Sequence, residues 1–90
     1  MRKEEVKLLS WILRGSQRRE IIKVIDKPKI PAQIYKESIR LNPKITRNSV
    51  SDVLRAFVRK GLVKCINPNE RKGRIYVLTP KGEKIRKKII

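Results

Sequence analysis

The chain has 90 residues, which is enough for one compact domain and too short for two. Apolar residues make up 39% of it and include thirteen isoleucines, so a hydrophobic core is expected and a disordered basic tail is excluded. Lys and Arg number 25 against 8 Asp and Glu, and the resulting net charge of +17 predicts a polyanionic partner, either nucleic acid or an anionic membrane.

Residues 1–14 predict an N-terminal helix that is apolar around much of its circumference. Val6, Leu9 and Leu13 form one stripe at helical spacing. Three further apolar residues widen that stripe: Leu8, Trp11 and Ile12. A helix of this kind needs a second apolar surface to cover it, which either its own domain or a second copy of the chain can supply.

Helix-breaking residues place the next elements. Gly15 is expected to end the first helix, and Ser16 is expected to cap a second helix, whose apolar face lies at 21–25. Ile30 is expected in a short strand, and Pro31 is a favourable first residue for a third helix.

The fourth helix has the clearest amphipathic pattern in the chain. The turn at 41–45 contains a proline that ends the preceding helix, and Thr46 is the predicted N-cap of the new one. Gly61 is expected to stop it. Its apolar residues have the i, i+3, i+4, i+7, i+8 spacing of one buried stripe, at Val50, Val53, Leu54, Phe57 and Val58.

A β-hairpin and a last helix complete the predicted elements. Segments 62–66 and 74–78 are rich in β-branched and apolar residues, and they flank a polar, basic turn at 67–73. Thr79 is the expected cap of a C-terminal helix that begins at Pro80. The apolar residues of this helix are Ile85, Ile89 and Ile90. Together with the apolar N-terminal helix, they predict a homodimer formed through the terminal helices.

Three stretches of the chain match a known pattern. Ser16–Ile22 is similar to the opening of the first helix in many DNA-binding regulators, and Ser49–Val63 to a recognition helix that runs into a first wing strand. Tyr76–Gly82 is similar to the exit from a wing into a last helix. Their joint occurrence resembles the winged helix-turn-helix family, in particular the small prokaryotic and archaeal transcription regulators, over about 16–90.

The resemblance implies a mainly α fold with a small β-hairpin (α+β), namely a winged helix-turn-helix with extra N- and C-terminal helices. The single domain, 1–90, would comprise an N-terminal helix at 1–14, the helix-turn-helix at 31–60, the wing at 62–78 and a C-terminal helix at 79–90. One departure is the span from Ile34 to Ser51, which is longer than the tight turn usual between the two helices of this motif.

In this family the second helix of the motif enters the DNA major groove, where its first turns meet base edges. The resemblance therefore implies contacts with double-stranded DNA from Lys44, Thr46, Arg47, Asn48, Ser49, Ser51, Asp52 and Arg55. Arg and Asn side chains can form paired hydrogen bonds with guanine and adenine, and a helix N-terminus can offer backbone N–H groups to a phosphate. The wing would reach the adjacent backbone or the minor groove through Arg71, Lys72 and Arg74.

Other classes of function lack the residues they need. The chain has no histidine and a single cysteine, Cys65, and it has no glycine-rich phosphate loop. The usual general base, thiol protease, zinc site and nucleotide site are therefore missing. The apolar runs are far shorter than the ~20 residues of a membrane-spanning helix, and the N-terminus does not resemble a signal peptide. We expect no enzymatic activity, cofactor, small-molecule effector or membrane partner, and a cytoplasmic, nucleoid-associated location.

Three functions remain compatible with the sequence. A sequence-specific transcription regulator is favoured because the start of the fourth helix mixes Arg, Asn and Ser. An architectural chromatin protein would use the same fold with mostly phosphate contacts, and a ribosomal or other RNA-binding winged helix would place it on structured RNA. Between residues 40 and 74, ten basic residues face two acidic ones, so pairing of surface charges cannot account for them. Four aromatic residues are too few for a single-strand binder built on stacked bases.

Overall fold

The computed structural model describes residues 2–90 and has the mainly helical α+β composition, with a small hairpin, that the sequence predicts. Within this range, five helices accompany one two-stranded antiparallel sheet. In chain order the elements are α1 (Lys3–Arg14), α2 (Arg18–Val24), α3 (Pro31–Ser38), α4 (Arg47–Arg59), β1 (Val63–Cys65), β2 (Tyr76–Leu78) and α5 (Pro80–Ile89). Met1, the first residue of the predicted N-terminal helix, lies outside the described residues.

Local hydrogen bonds explain where α4 begins and ends. The Thr46 hydroxyl accepts a hydrogen bond from the Ser49 N–H (3.1 Å), and the Ser49 hydroxyl accepts one from the Thr46 N–H (2.8 Å). After the C-cap at Lys60, Gly61 takes a left-handed backbone conformation (φ +74°), which glycine adopts without steric cost. The predicted N-cap and the predicted stop of this helix are both confirmed.

The start of α5 fits closely against the corner between α4 and β1. Thr79 caps the helix by accepting a hydrogen bond from the Gly82 N–H (3.1 Å), and Pro80 occupies the first helical position, as predicted. The Thr79 hydroxyl also donates to the Gly61 carbonyl (2.6 Å), and the Thr79 N–H donates to the Leu62 carbonyl (3.0 Å). A Cβ atom on Gly82 would lie 2.0 Å from that Leu62 oxygen, so a larger residue would separate α5 from this corner.

The hairpin strands are shorter than predicted. β1 and β2 pair through three residues each in antiparallel register, with Cys65 opposite Tyr76. On the other edge of β2, the backbone of Lys29 exchanges two hydrogen bonds with that of Tyr76 (3.0 and 2.8 Å). This single bridge takes the place of the short strand predicted at Ile30, and it ties the segment between α2 and α3 to the hairpin.

One hydrophobic core lies among the helices and the hairpin. Every helix and both strands contribute to its buried side chains, which are Leu8, Ile12, Ile21, Ile22, Ile25, Ile34, Ile45, Val50, Leu54, Phe57, Leu62, Val63, Leu78 and Ile85. The burial of these side chains therefore couples the stability of all seven elements. None of the helices in the 2–90 range has the length and apolar composition that crossing a bilayer requires.

The buried face of α1 differs from the predicted one. Leu8 and Ile12 lie in the core, whereas Val6 and Leu13 are each 50% exposed and Leu9 is partly buried at the edge. The predicted stripe therefore faces largely outward. The sequence offers two apolar stripes on this helix, and packing against α2 and α5 selects between them.

Two other expectations about buried and capping residues are wrong. Val58 is 45% exposed, because it lies on the side of α4 that faces an open groove beside the hairpin and not the core. Ser16 does not cap α2. This helix begins at Arg18, its N-cap position is Gln17, and the Gln17 side chain forms no capping hydrogen bond. The Gly15 carbonyl accepts a hydrogen bond from the Arg18 N–H (3.2 Å), so Ser16 lies inside a tight turn that precedes the helix.

The connection between α3 and α4 is long, as the sequence indicated, and it is held by hydrogen bonds. Asn42 donates through its side-chain amide to the Ser16 carbonyl (3.3 Å), which links this connection to the turn between α1 and α2. Ile45 is buried in the core immediately before the N-cap of α4. These contacts set the position from which α4 starts.

Candidate nucleic-acid interface

The exposed face of α4 carries most of the predicted site residues. Three core side chains, Val50, Leu54 and Phe57, anchor one side of this helix. Because side chains project all around a helix with 3.6 residues per turn, its opposite side faces solvent. The predicted residues exposed on α4 are Arg47, Asn48, Ser51, Asp52 and Arg55.

Arg59 extends this surface by one turn, and it is absent from the predicted residues. It is exposed and follows Arg55 by four positions, so the two side chains are neighbours on the helix. Within residues 2–90, Arg59 has no acidic side chain at ion-pair distance. The spacing that places Asn48, Asp52 and Arg55 on one stripe also includes position 59 and could have identified it.

Arg47, the first residue of α4, packs against an aromatic ring. Its guanidinium carbon lies 4.9 Å from the centroid of the Tyr35 ring, a cation–π contact that joins α3 to α4. A shallow groove at this point is also lined by Pro31, Ala32 and Ser51. Since a stacked guanidinium keeps N–H donors around its edge, Arg47 is restricted in position and can still bind a ligand.

Thr46 and Ser49 take part in the cap of α4. The capping box uses both hydroxyls and the Thr46 N–H, and Ser49 is partly buried. The structure therefore gives these residues a role in fixing the helix start, and the contacts with DNA that the sequence predicts for them stay a prediction. In the first turn, the amides of Arg47 and Asn48 have no carbonyl acceptor four residues earlier in the helix.

Asp52 forms an ion pair with Arg55 on the exposed face. Both side chains are 69% exposed, so the pair adds little to the stability of the fold. Its main effect is to offset the charge of Arg55. Because Asp52 is the only acidic residue within α4, the positive charges of Arg47 and Arg59 are not compensated on this helix.

Asn67 organises the loop that connects the two strands. Its side-chain oxygen accepts hydrogen bonds from the Ile75 N–H (2.6 Å) and the Cys65 thiol (3.6 Å). Its side-chain nitrogen donates to the Gly73 carbonyl (3.0 Å), and Gly73 has the positive φ of +69° that glycine tolerates. The sequence marked this segment as a polar turn but did not single out the residue that holds it together.

The three predicted hairpin residues fall into two groups. Arg71 and Lys72 are exposed in the loop. Arg74 donates from its Nε to the Glu70 carbonyl (2.7 Å), and its side chain lines a groove between the hairpin and α4 that Arg55 also lines. Arg74 therefore lies beside the exposed face of α4 and lines the groove next to it. Arg71 and Lys72 lie in the loop and do not line this groove.

Lys44 is exposed in the turn that precedes α4. Its backbone carbonyl accepts a hydrogen bond from the Gln17 side chain (3.4 Å), and its N–H donates to the Asn42 side chain (3.0 Å). These bonds hold the backbone at this position, while the ammonium group remains in solvent. The structure thus adds one cation at the N-terminal end of α4.

A separate charge cluster surrounds Lys29, whose Nζ is buried. This atom lies 2.7 Å from Asp26 Oδ1 and 2.5 Å from Glu37 Oε1, and it donates to the Val24 carbonyl (2.7 Å). Burial by itself lowers the pKa of Lys29, but the hydrogen bonds to the two carboxylates outweigh burial and raise it. The hydrogen bonds from Lys29 in turn lower the pKa of Asp26 and of Glu37. This cluster stabilises the bridge between Lys29 and Tyr76. Because the ammonium group of Lys29 is buried and paired with two carboxylates, it is not one of the exposed cations that a ligand could reach.

The candidate site therefore consists of the exposed face of α4, the turn before it and the hairpin loop. Its guanidinium groups, and the amide of Asn48, can donate hydrogen bonds to phosphate oxygens and to base edges. Comparison of the chain with protein-family models, with curated proteins and with solved structures finds no match.

Proposed function

We propose that this chain is a winged helix-turn-helix protein that binds double-stranded DNA and acts as a sequence-specific transcription regulator. In this proposal α3 and α4 form the helix-turn-helix, α4 enters the major groove, and the hairpin is the wing. The observation that carries the proposal is the surface of α4, on which polar and cationic side chains share one exposed face with Arg74 of the hairpin beside it.

The charge balance of this surface supports a polyanionic ligand. The exposed cations of α4 and the hairpin loop are Arg47, Arg55, Arg59, Arg71, Lys72 and Arg74. Asp52 and Glu70 are the acidic residues in the same segments, and Asp52 is already paired with Arg55. Cations in this excess attract phosphates by long-range electrostatics and by charge-assisted hydrogen bonds.

The shape and chemistry of α4 support base reading in the major groove. That groove is about 12 Å wide and admits one α-helix. The core holds one side of α4, so its exposed side chains are presented from a rigid element. Arg47 can donate two hydrogen bonds to guanine, and Asn48 can bridge the donor and acceptor of adenine.

Cations away from α4 favour a second candidate function, that of an architectural chromatin protein. Lys3 and Lys7 are exposed on α1, and Lys87 and Lys88 are exposed on α5. A protein that holds DNA mainly by its phosphates would use cations on several elements, and it would gain affinity without reading bases.

Binding to three nucleic acids across a salt series tests the proposal. The ligands are a random duplex, a duplex selected by the protein from a random pool, and a structured RNA hairpin. We expect log affinity to fall linearly with log salt, by about 0.9 per phosphate contacted, and the selected duplex to bind most tightly. Equal affinity for both duplexes would favour the architectural protein. A flat salt response, or tighter binding of the RNA hairpin, would contradict the DNA-binding proposal.

A further inference from the structure

An open groove of about 360 Å³ lies between α4 and the hairpin. Side chains from the second half of α4 form one wall, and side chains from the two strands and the end of the loop form the other. The residues that line it are Arg55, Val58, Arg59, Cys65, Arg74 and Tyr76. The groove thus combines three guanidinium groups with an apolar part.

The three arginines reach the groove from opposite sides. Arg55 and Arg59 lie one turn apart on α4, and Arg74 approaches from the hairpin. The bond from Arg74 Nε to the Glu70 carbonyl holds that guanidinium at the end of the loop. Among the described residues, the one acidic side chain that forms an ion pair with any of these three arginines is Asp52. It pairs with Arg55 and is itself exposed. The groove is therefore strongly positive.

The apolar part of the groove is open to solvent. Val58 is the half-exposed valine that the sequence placed in the core, and Tyr76 and Cys65 are partly buried next to it. An apolar strip between cations has the alternating character of a nucleic-acid strand, in which sugars separate the phosphates. Guanidinium groups bind phosphates through paired hydrogen bonds, and apolar side chains can pack against the sugar.

We infer that this groove holds the phosphodiester backbone of one strand of the duplex, with Arg55, Arg59 and Arg74 on its phosphates. The inference rests on the proposed function. The groove is continuous with the exposed face of α4 through Arg55, so a strand in it would border the major groove that α4 enters. Arg74 then acts with α4 on one strand, while the remaining loop cations, Arg71 and Lys72, reach a different part of the duplex.

Cys65 provides a direct reporter of occupancy, because it is the single cysteine of the chain and lines the groove. The rate of its alkylation by iodoacetamide is measured for the free protein and for the protein saturated with a random-sequence duplex. We expect the bound duplex to slow alkylation several-fold. The same duplex at a salt concentration that dissociates it should restore the rate of the free protein.

Salt dependence tests the arginines independently of the thiol. Arg59→Gln should lower the slope of log affinity against log salt by about 0.9, the contribution of one phosphate contact. Lys27→Gln is the matched control, since it removes an exposed cation from the turn between α2 and α3, outside the groove, and should leave the slope unchanged. Both positions are exposed, so the fold should be retained.

The possible outcomes separate this inference from the proposed function. A duplex that binds with a steep salt response, but leaves Cys65 alkylation and the Arg59→Gln slope unchanged, overturns the groove assignment and leaves DNA binding intact. Absence of duplex binding even at low salt overturns both. An RNA hairpin that protects Cys65 more strongly than the duplex, with both at saturation, overturns the assignment to DNA.

Discussion

Asn48 and Lys72 illustrate two kinds of contact available to this surface. Asn48 is exposed in the first turn of α4, and its amide carries both a donor and an acceptor, which is the pattern that adenine complements in the major groove. Lys72 is exposed in the hairpin loop and carries a compact charge on a flexible stem. It can meet any phosphate, so it conveys no information about sequence.

Substitution of these two residues should therefore have different effects. Asn48→Ala should cost ~1–3 kcal/mol at one base pair of the selected site and should relax preference there. Lys72→Ala should weaken binding to all duplexes about equally and should lower the salt slope by about 0.9. Affinities for the selected duplex and its single-base variants measure both effects. If Asn48→Ala weakens every duplex to the same degree, Asn48 does not read a base, and the architectural function gains support.

The charge cluster around Lys29 should make the stability of the fold depend on pH. The pKa of Asp26 and of Glu37 lies below the ordinary values of 3.8 and 4.5, so both carboxylates contribute stability above those values. That contribution is lost as the pH falls through their lower pKa in the folded state. The pKa of Lys29 is raised above 10.5, so its contribution is complete below pH 10.5 and is lost as the pH rises through the raised pKa.

Glu37→Gln should consequently be less stable than the wild type near neutral pH, and this difference should narrow as the pH falls below 4.5. Chemical denaturation over a pH series measures it. Glu83→Gln is the control, because Glu83 is exposed and has no ion pair in the described part of the chain. A difference between Glu37→Gln and wild type that stays constant down to about pH 3 would show that the carboxylate of Glu37 is not stabilising.

At the scale of elements, the hairpin loop depends on one side chain. Asn67→Ala removes hydrogen bonds to Ile75 and Gly73, each worth about 1 kcal/mol, and it frees the loop that carries Lys72. We expect a lower free energy of unfolding and weaker duplex binding, since the loop must then be ordered on binding. Asn69→Ala is the control, because its side chain is exposed in the same loop. Equal losses in the two variants would refute an organising role for Asn67.

The ends of most elements were predictable, as was the buried face of α4 apart from Val58, whereas the buried face of α1 was not. Thr46, Gly61 and Thr79 act through hydrogen bonds and backbone angles within a few residues, so the local sequence is sufficient to identify them. The choice between Leu8 and Val6 as a core residue depends on which helices pack against α1, and that contact is not encoded in α1 alone.

The candidate site shows the same division between local and distant information. Helical spacing correctly predicted that Asn48 and Arg55 share an exposed face, and it would also have given Arg59. The contact of Arg47 with Tyr35 and the position of Arg74 beside α4 join residues that are far apart in sequence. They depend on how α3, α4 and the hairpin pack, so periodicity could not predict them.

At the scale of the whole molecule, α1 leaves an apolar stripe uncovered. Val6 and Leu13 are half-exposed on the same side of this helix as Leu9, and the chain ends on the exposed Ile90. Removal of these side chains from water would be favourable, and a second copy of the chain would present the same surface. A two-fold dimer could also place two α4 helices about 34 Å apart, which is one turn of DNA.

We therefore expect a homodimer in sedimentation equilibrium at micromolar concentration. Leu13→Glu should shift the protein to a monomer while its helical circular dichroism is retained, because a charge would be buried in the interface. Leu41→Glu is the control, since it changes an exposed leucine outside the terminal helices and should leave the dimer intact. A monomeric wild type would rule out dimerisation through α1.

Entry of α4 into the major groove is tested most directly by methylation interference on a duplex that the protein has selected from a random pool. Guanine N7 lies in the major groove and adenine N3 lies in the minor groove. Methylation at N7 therefore tests for contacts in the major groove, and methylation at N3 tests for contacts in the minor groove. We expect methylation of guanine N7 within the selected site to prevent binding, and Arg47→Ala to remove this interference at one position. Binding that tolerates N7 methylation throughout the site would contradict major-groove recognition by α4.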